Sequence, residues 1–206
     1  MRRLPQQARG EERIAAILRA AAQVFQEVGF DAATTNMIAQ RANTAIGSLY
    51  DFFPNKETIA KRLSEQFIDD MHTLYEGVLT EDLVKLSLPE VIDRILDPLV
   101  QYHQTHAGFL ALWLNSQDDP RVSAMGQDLD AALAERTAWI LTRRYPQADP
   151  AIALRRSQIC MRTVQALTAL AFKGSEVDYT VIAELKTMIH AYLREVFGPG
   201  KQTGRR

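Results

Sequence analysis

The chain has 206 residues, of which 47% are hydrophobic, and a formal net charge of −1. That length allows one large domain or two small ones with real cores, and the balanced charge argues against a wholly basic or wholly acidic binding protein. No run of about 18 or more apolar residues occurs, so no membrane span is expected, and the basic start Met1, Arg2, Arg3 has no apolar run behind it of the kind a secretory signal needs.

The charge is uneven along the chain. Residues 1–62 carry nine Lys/Arg against six Asp/Glu, a net of +3; residues 63–206 carry fifteen against nineteen, a net of −4. A mildly basic front suits a nucleic-acid-facing N-terminus. Cys160 is the only cysteine, so no intrachain disulfide forms and a reducing, cytoplasmic setting is expected. Its apolar neighbours suggest a buried structural thiol.

Helical periodicity dominates. Ile14, Ile17, Leu18, Ala21, Val24, Phe25 and Val28 recur at three- and four-residue steps, the buried face of a first helix, and Gly29 ends it as a C-terminal cap. A second, short helix starts after Thr34 and Thr35, with Ile38, Ala39 and Ala42 inward, and Asn43 and Thr44 break it. A third runs from Ala45 to Phe52 and stops before Pro54. Lys56–Leu79 is a long helix with Ile59, Leu63, Phe67, Met71, Leu74, Tyr75 and Val78 on one stripe. Ser87 followed by Glu90 forms a capping box, with Pro89 in the first turn of a helix reaching about Thr105. Gly108 opens a short apolar piece. Asp118, Asp119 and Pro120 start a helix lasting to Arg144; Asp149 and Pro150 start one lasting to Lys173, stopped by Gly174; a last helix runs from Asp178 to Phe197. No convincing period-two strand is found. The expected fold is therefore all-α, with about nine helices. It divides into a three-helix unit (1–55), a larger helical domain (56–198) and a disordered tail (199–206).

Two short helices joined by a two- or three-residue turn form a helix-turn-helix. The second helix of such a pair must be slim to enter a major groove about 12 Å wide. Ala45, Gly47 and Ser48 keep it slim, while Leu49 and Phe52 are expected to face the core. Thr35 is expected to cap the second helix, leaving amide groups outward for a phosphate.

Residues 34–59, "TTNMIAQRANTAIGSLYDFFPNKETI", resemble the DNA-binding segment of TetR-family transcriptional repressors. The likeness rests on Thr35, Ile38, Ala39, Ala42, Gly47, Ser48, Leu49, Tyr50, Phe53, Lys56 and Glu57, and "AAAQVFQEVGFDAATT" in the first helix is similar as well. It covers about residues 10–60; the rest of the chain shows only the family's general plan. The resemblance implies that Thr35, Tyr50 and Lys56 hold phosphates, which gives affinity and register but no sequence reading. It places Asn36, Thr44, Ala45, Ile46 and Ser48 toward the groove. It further implies a double-stranded operator, a homodimer, and a small-molecule effector of unidentified structure, with no cofactor, no metal and no membrane.

Four positions depart from the family pattern. Asn43, Thr44 and Ala45 stand where Gly-Val-Ser is common. Asn tolerates the left-handed backbone of the usual glycine. Ala45 lacks a serine's capping oxygen, and Thr44 is the alternative cap, one residue earlier. Ile46 stands where a polar or basic residue is frequent, and we expect it to meet a thymine methyl.

In the remaining helices the resemblance implies a dimerisation pair, with Leu154, Leu167, Leu170, Ile182, Leu185, Ile189 and Leu193 as the outward apolar candidates. Candidate lining for an effector pocket comprises Tyr102, His103, Phe109, Trp113, Trp139, Met161, Gln165 and Phe172. An enzyme is not indicated: there is no Gly-rich phosphate loop, no nucleophile with local context and no metal box. A helical adaptor without DNA would not require Thr35, Tyr50 and Lys56 together.

Overall fold

The computed structural model describes residues 6–106, 120–173 and 176–197. The expected apolar piece after Gly108, with candidates Phe109 and Trp113, lies outside those residues, as does the expected tail 199–206.

Eight α-helices and one 3-10 turn make up almost all of the described chain: α1 Gln6–Ala32, α2 Thr35–Arg41, α3 Ile46–Tyr50, α4 Lys56–Val78, the 3-10 turn Glu81–Lys85, α5 Leu88–Thr105, α6 Pro120–Arg144, α7 Pro150–Ala171 and α8 Tyr179–Phe197. Several start on side-chain caps that are legible in the sequence. The amide of Ser87 donates to Glu90 Oε2 at 2.7 Å and that of Glu90 to Ser87 Oγ at 3.4 Å, the reciprocal bonds of a capping box. Asp149 Oδ1 accepts from Ala151 and Ile152 ahead of α7, and Asp178 Oδ1 from Thr180 and Val181 ahead of α8. Each satisfies amide groups that the first helical turn leaves without partners.

Two expectations about helix ends need correction. Gly29 does break the helical conformation, at φ 79 and ψ 166, but α1 resumes past it to Ala32 as a kinked helix. Val28, assigned to the buried face, is instead exposed beside that kink. At the other end of the chain, α7 stops at Ala171, and Phe172–Lys173 pairs antiparallel with Glu176–Val177. Two residues per strand are too few to show alternation, so no period-two pattern announces them.

By contacts the chain forms two units, with the boundary inside α4 between Phe67 and Ile68. In the first, α2 packs on α1 and on α3. Its core holds Ile17, Ala21, Val24 and Phe25 of α1, Ile38 and Ala39 of α2, and Leu49 of α3. In the second, α8 packs on both α5 and α7, and Leu96, Leu99, Val164, Ile182 and Leu185 are buried. Among the described residues, no helix is long and apolar enough to cross a membrane.

Candidate nucleic-acid interface

The turn between α2 and α3 is set by backbone chemistry. Asn43 adopts φ 49, the left-handed conformation expected of it. Thr44 N donates to Ala39 O at 3.0 Å and Asn43 N to Gln40 O at 3.1 Å. This is the paired arrangement of a Schellman motif, and it needs a left-handed residue just after the cap.

The caps differ from expectation. Thr34, not Thr35, caps α2: its Oγ1 accepts from Met37 N at 3.2 Å. Thr35 is the first helical residue, and its hydroxyl is hydrogen-bonded at 3.0 Å to the hydroxyl of Tyr50 at the end of α3. Two of the three expected phosphate contacts are thus brought together. α3 begins at Ile46 with Ala45 as an uncapped N-cap; Thr44 does not take over.

The five residues of α3 show two faces. Leu49 is fully buried and Phe53, just beyond, nearly so, while Phe52 is half-buried. Ala45, Ile46 and Gly47 are exposed, as is Asn36 on α2; Thr44 and Ser48 are half-buried. Ile46 is 36% and Tyr50 50% exposed. A Cβ built on Gly47 would meet nothing within 4 Å, so no neighbour inside the chain requires glycine there.

Lys56 differs from expectation. Its Nζ donates to Phe30 O at 2.9 Å, Asp31 O at 3.0 Å and Ala33 O at 3.2 Å, and lies 4.7 Å from the Phe30 ring centroid. An ammonium has three donors, and all three are spent on carbonyls where the chain leaves α1 and approaches α2. A cation at a helix N-terminus is therefore explained without a phosphate. Sequence reading also missed a clip between α1 and α2: Arg41 grips Glu27 through both guanidinium nitrogens, at 2.7 and 2.6 Å. These hydrogen bonds hold the Glu27 carboxyl below its ordinary range. The pair is solvent-exposed, so it orients α2 more than it stabilises the fold.

In the second unit the candidate effector residues scatter. Tyr102 donates to Asp70 Oδ2 at 2.7 Å. His103 is buried, with its ring edge-on to Tyr102 and Phe172. Trp139 lies between the guanidinium groups of Arg136 and Arg143, at 4.5 and 5.2 Å. Gln165 donates to Asp130 Oδ1 at 2.6 Å, a carboxyl that burial pushes up against the opposing pull of Arg162 and Gln165. Of the described candidates only Met161 reaches a cavity of about 60 Å3 walled by α5, α6, α7 and α8. Among the described residues that wall is apolar apart from Thr137, Ser157 and Cys160, and carries no charged side chain.

The dimer candidates divide cleanly. Ile182, Leu185, Ile189 and Leu193 are buried within the chain, so they are core and not an outward face. The structure corrects that assignment because α8 turns its richest apolar stripe toward α5 and α7. Leu170 is exposed, and Leu154 and Leu167 are half-buried. Leu167 belongs to a shallow groove with Arg155, Ile159, Arg162 and Met188. Ile159 and Met188, both exposed, were missed. The signal for Ile159 is a second stripe on α7, Ile159, Thr163, Ala166 and Leu170, beside the buried one of Ala153, Ser157, Val164, Thr168 and Ala171.

Residues 87–193 match a family model described as "Tetracyclin repressor-like, C-terminal domain", and residues 17–63 one described as "Bacterial regulatory proteins, tetR family". The uncharacterized HTH-type transcriptional regulator YhgD of Bacillus subtilis is 29% identical over 92 residues, 44% of this chain; the match spans 46% of that relative's length. The HTH-type transcriptional repressor KstR2 of Rhodococcus jostii is 27% identical over 63% of this chain and 78% of its own. Among solved structures, a TetR-family transcriptional regulator from Streptomyces coelicolor aligns with a TM-score of 0.58 at 28% identity, over 89% of this chain and 99% of that one. A transcriptional regulator from Rhodococcus sp. Rha1 aligns with a TM-score of 0.70 at 17% identity, over 88% and 96%, a likeness of fold alone.

Proposed function

The chain belongs to the TetR family of helix-turn-helix transcriptional regulators, and we propose that it is a homodimeric repressor released from a palindromic operator by a small-molecule effector. We assign DNA binding to residues 1–55 and effector binding and dimerisation to residues 56–198. The observation that carries the DNA reading is the outer face of α3, where Ile46 and Gly47 are exposed and Gly47 has open space around it. No described neighbour of Gly47 requires that slimness, and clearance inside a major groove would reward it.

In this reading Ala45, Ile46 and Ser48 meet base edges, with Asn36 and Thr44 beside them. Thr35 and Tyr50, already hydrogen-bonded to each other, offer their hydroxyls to one backbone phosphate. Repression is supported by the likeness to the Rhodococcus jostii relative, which is an HTH-type transcriptional repressor. Binding to DNA from the chain's own upstream region should weaken steeply with salt. Affinity that is flat in salt, with no footprint, would refute the DNA reading. Replacing operator thymines singly with uracil tests Ile46, and a loss is expected at one position in each half-site.

One recognition helix makes few base contacts, so two are needed, about 34–36 Å apart. For the dimer face we propose Leu154, Leu167 and Leu170 of α7, joined by Ile159 and by Met188 of α8. Leu170→Glu should shift the protein to monomers in sedimentation and lower operator affinity. A variant that stays dimeric would sink this assignment. The proposed effector response acts through α4, which starts at Lys56 beside the DNA unit and ends at Val78, where Arg136 of α6 donates to Leu79 O at 2.9 Å. Coupling of the usual size would lower operator affinity about 5- to 150-fold.

A further inference from the structure

One residue in the wall of the cavity formed by α5, α6, α7 and α8 carries a hydroxyl that packing does not explain. Ser157 lies on the inward stripe of α7 and is 0% exposed, and its Oγ has no hydrogen-bond partner among the described residues. Helix-interior serines usually return their hydroxyl to a carbonyl one turn back or face solvent. This one does neither. A buried hydroxyl without a partner is costly to the fold, and alanine at that position would avoid the cost.

The wall of the cavity sets the chemistry of any occupant. Ile92 and Leu96 come from α5, Ile140 and Leu141 from α6, and Met161 and Val164 from α7, and none of the described lining residues is charged. A carboxylate or ammonium entering here would lose its hydration without a counter-charge from the described lining, which is costly. An apolar body would lose only contact with water. Cys160 adds no charge either: burial pushes its thiol up to about 11, so it is protonated at neutral pH. The resting volume of about 60 Å3 holds only a few heavy atoms. Engineered apolar cavities of about 150 Å3 take benzene, so a larger occupant must move the walls.

We propose that this cavity is the effector site, and that the effector is a small, uncharged, largely apolar molecule with a single hydrogen-bonding group met by Ser157 Oγ. The proposal rests on the ligand-released reading above and names the ligand class and the residue that reads it. It also moves the site away from most of the described side chains that sequence character suggested, since Met161 alone of those is shared. Widening the cavity displaces Ile140 and Leu141 of α6. That helix donates from Arg136 to Leu79 O and from Arg144 to Val84 O and Leu86 O, so the segment leaving α4 moves with it.

The lone cysteine provides a direct test in the full-length protein. Cys160 lines the cavity, so an occupant should shield it from methyl methanethiosulfonate, with labelling followed by intact mass over hours because the thiol ionises poorly. 1-Hexanol and cyclohexanol should slow the labelling several-fold, whereas hexanoate at the same concentration should not. Ser157→Ala, which removes an unpartnered group and should fold at least as well, is expected to weaken 1-hexanol about threefold to tenfold and leave toluene binding unchanged. Equal protection by hexanoate, or no loss in Ser157→Ala, overturns the proposal. Failure of every alkanol to protect also overturns it, and leaves the hydroxyl to a buried water. Operator affinity measured in parallel separates the two claims. Protection without any change in operator affinity retires the ligand-release reading and keeps the site. Release by another compound without Cys160 protection retires the site and keeps the reading.

Discussion

Replacing Lys56 with methionine separates two roles that the sequence alone merges. Methionine keeps the apolar stem and removes the ammonium. In the folded chain that ammonium satisfies three carbonyls, at 2.9, 3.0 and 3.2 Å, around the bend from α1 into α2. Hydrogen bonds from a charged donor contribute about 1.5–3 kcal/mol each, but these carbonyls are only partly buried and regain water when the donor leaves. A total loss of about 2–4 kcal/mol is the reasonable expectation. For a chain of this size that lowers Tm by roughly 5–15 °C. Thermal unfolding of Lys56→Met without DNA reads the structural role. The salt dependence of operator binding, taken where the variant is still folded, reads the phosphate role. The expected result is a clear fall in Tm with little change in salt slope. An unchanged Tm together with a slope reduced by about 0.9, the signature of one lost phosphate contact, would refute the structural assignment and restore the phosphate one.

Three further outcomes are expected. Asn43→Ala should lose about 1–2 kcal/mol, because its backbone sits at φ 49 where a Cβ without a local polar partner is strained, while Asn43→Gly should unfold close to the parent; equal Tm values for all three would contradict the turn described. Arg136→Ala should shrink the ratio of operator affinities measured with and without effector more than it changes effector binding itself, and an unchanged ratio would remove this guanidinium from the coupling. Glu27 is held below its ordinary value of 4.5 by hydrogen bonds from Arg41. Its contribution is therefore present above that value and lost as pH falls through the lower folded-state value. The Tm difference between the parent and Glu27→Gln should close on acidification, and a difference that persists in acid would show that the pair does not act through charge.

Helix positions were legible because their caps are local. Ser87 with Glu90, Asp149 and Asp178 act on amides within three residues, so spacing alone reveals them. The left-handed turn at Asn43 was legible for the same reason. What the sequence hid depends on distance. Thr34 and Thr35 are chemically alike, and only the position of Tyr50, fifteen residues on, decides which hydroxyl caps and which reaches across. The contacts of Lys56 with the carbonyls of Phe30, Asp31 and Ala33 could not be read from spacing, because those residues lie 23 to 26 positions earlier. The apolar residues of α8 carry the periodicity of a buried face, but periodicity does not say whether the partner is the same chain or another. The four assigned to the dimer proved to be intrachain core.

The two apolar stripes of α7 make that helix a shared wall. Ser157, Cys160 and Met161 face the cavity on one side, and Ile159, Thr163 and Leu167 line the outer groove on the other. Only the thickness of one helix, about 10 Å, lies between them. A ligand that pushes the wall outward therefore changes the surface on which a second chain is proposed to dock. By reciprocity, docking must change the ligand's affinity by the same factor. Apparent effector affinity should then vary with protein concentration across the range where chains pair, and hold constant above it. An inducer assay run at a single protein concentration would report assembly and recognition together.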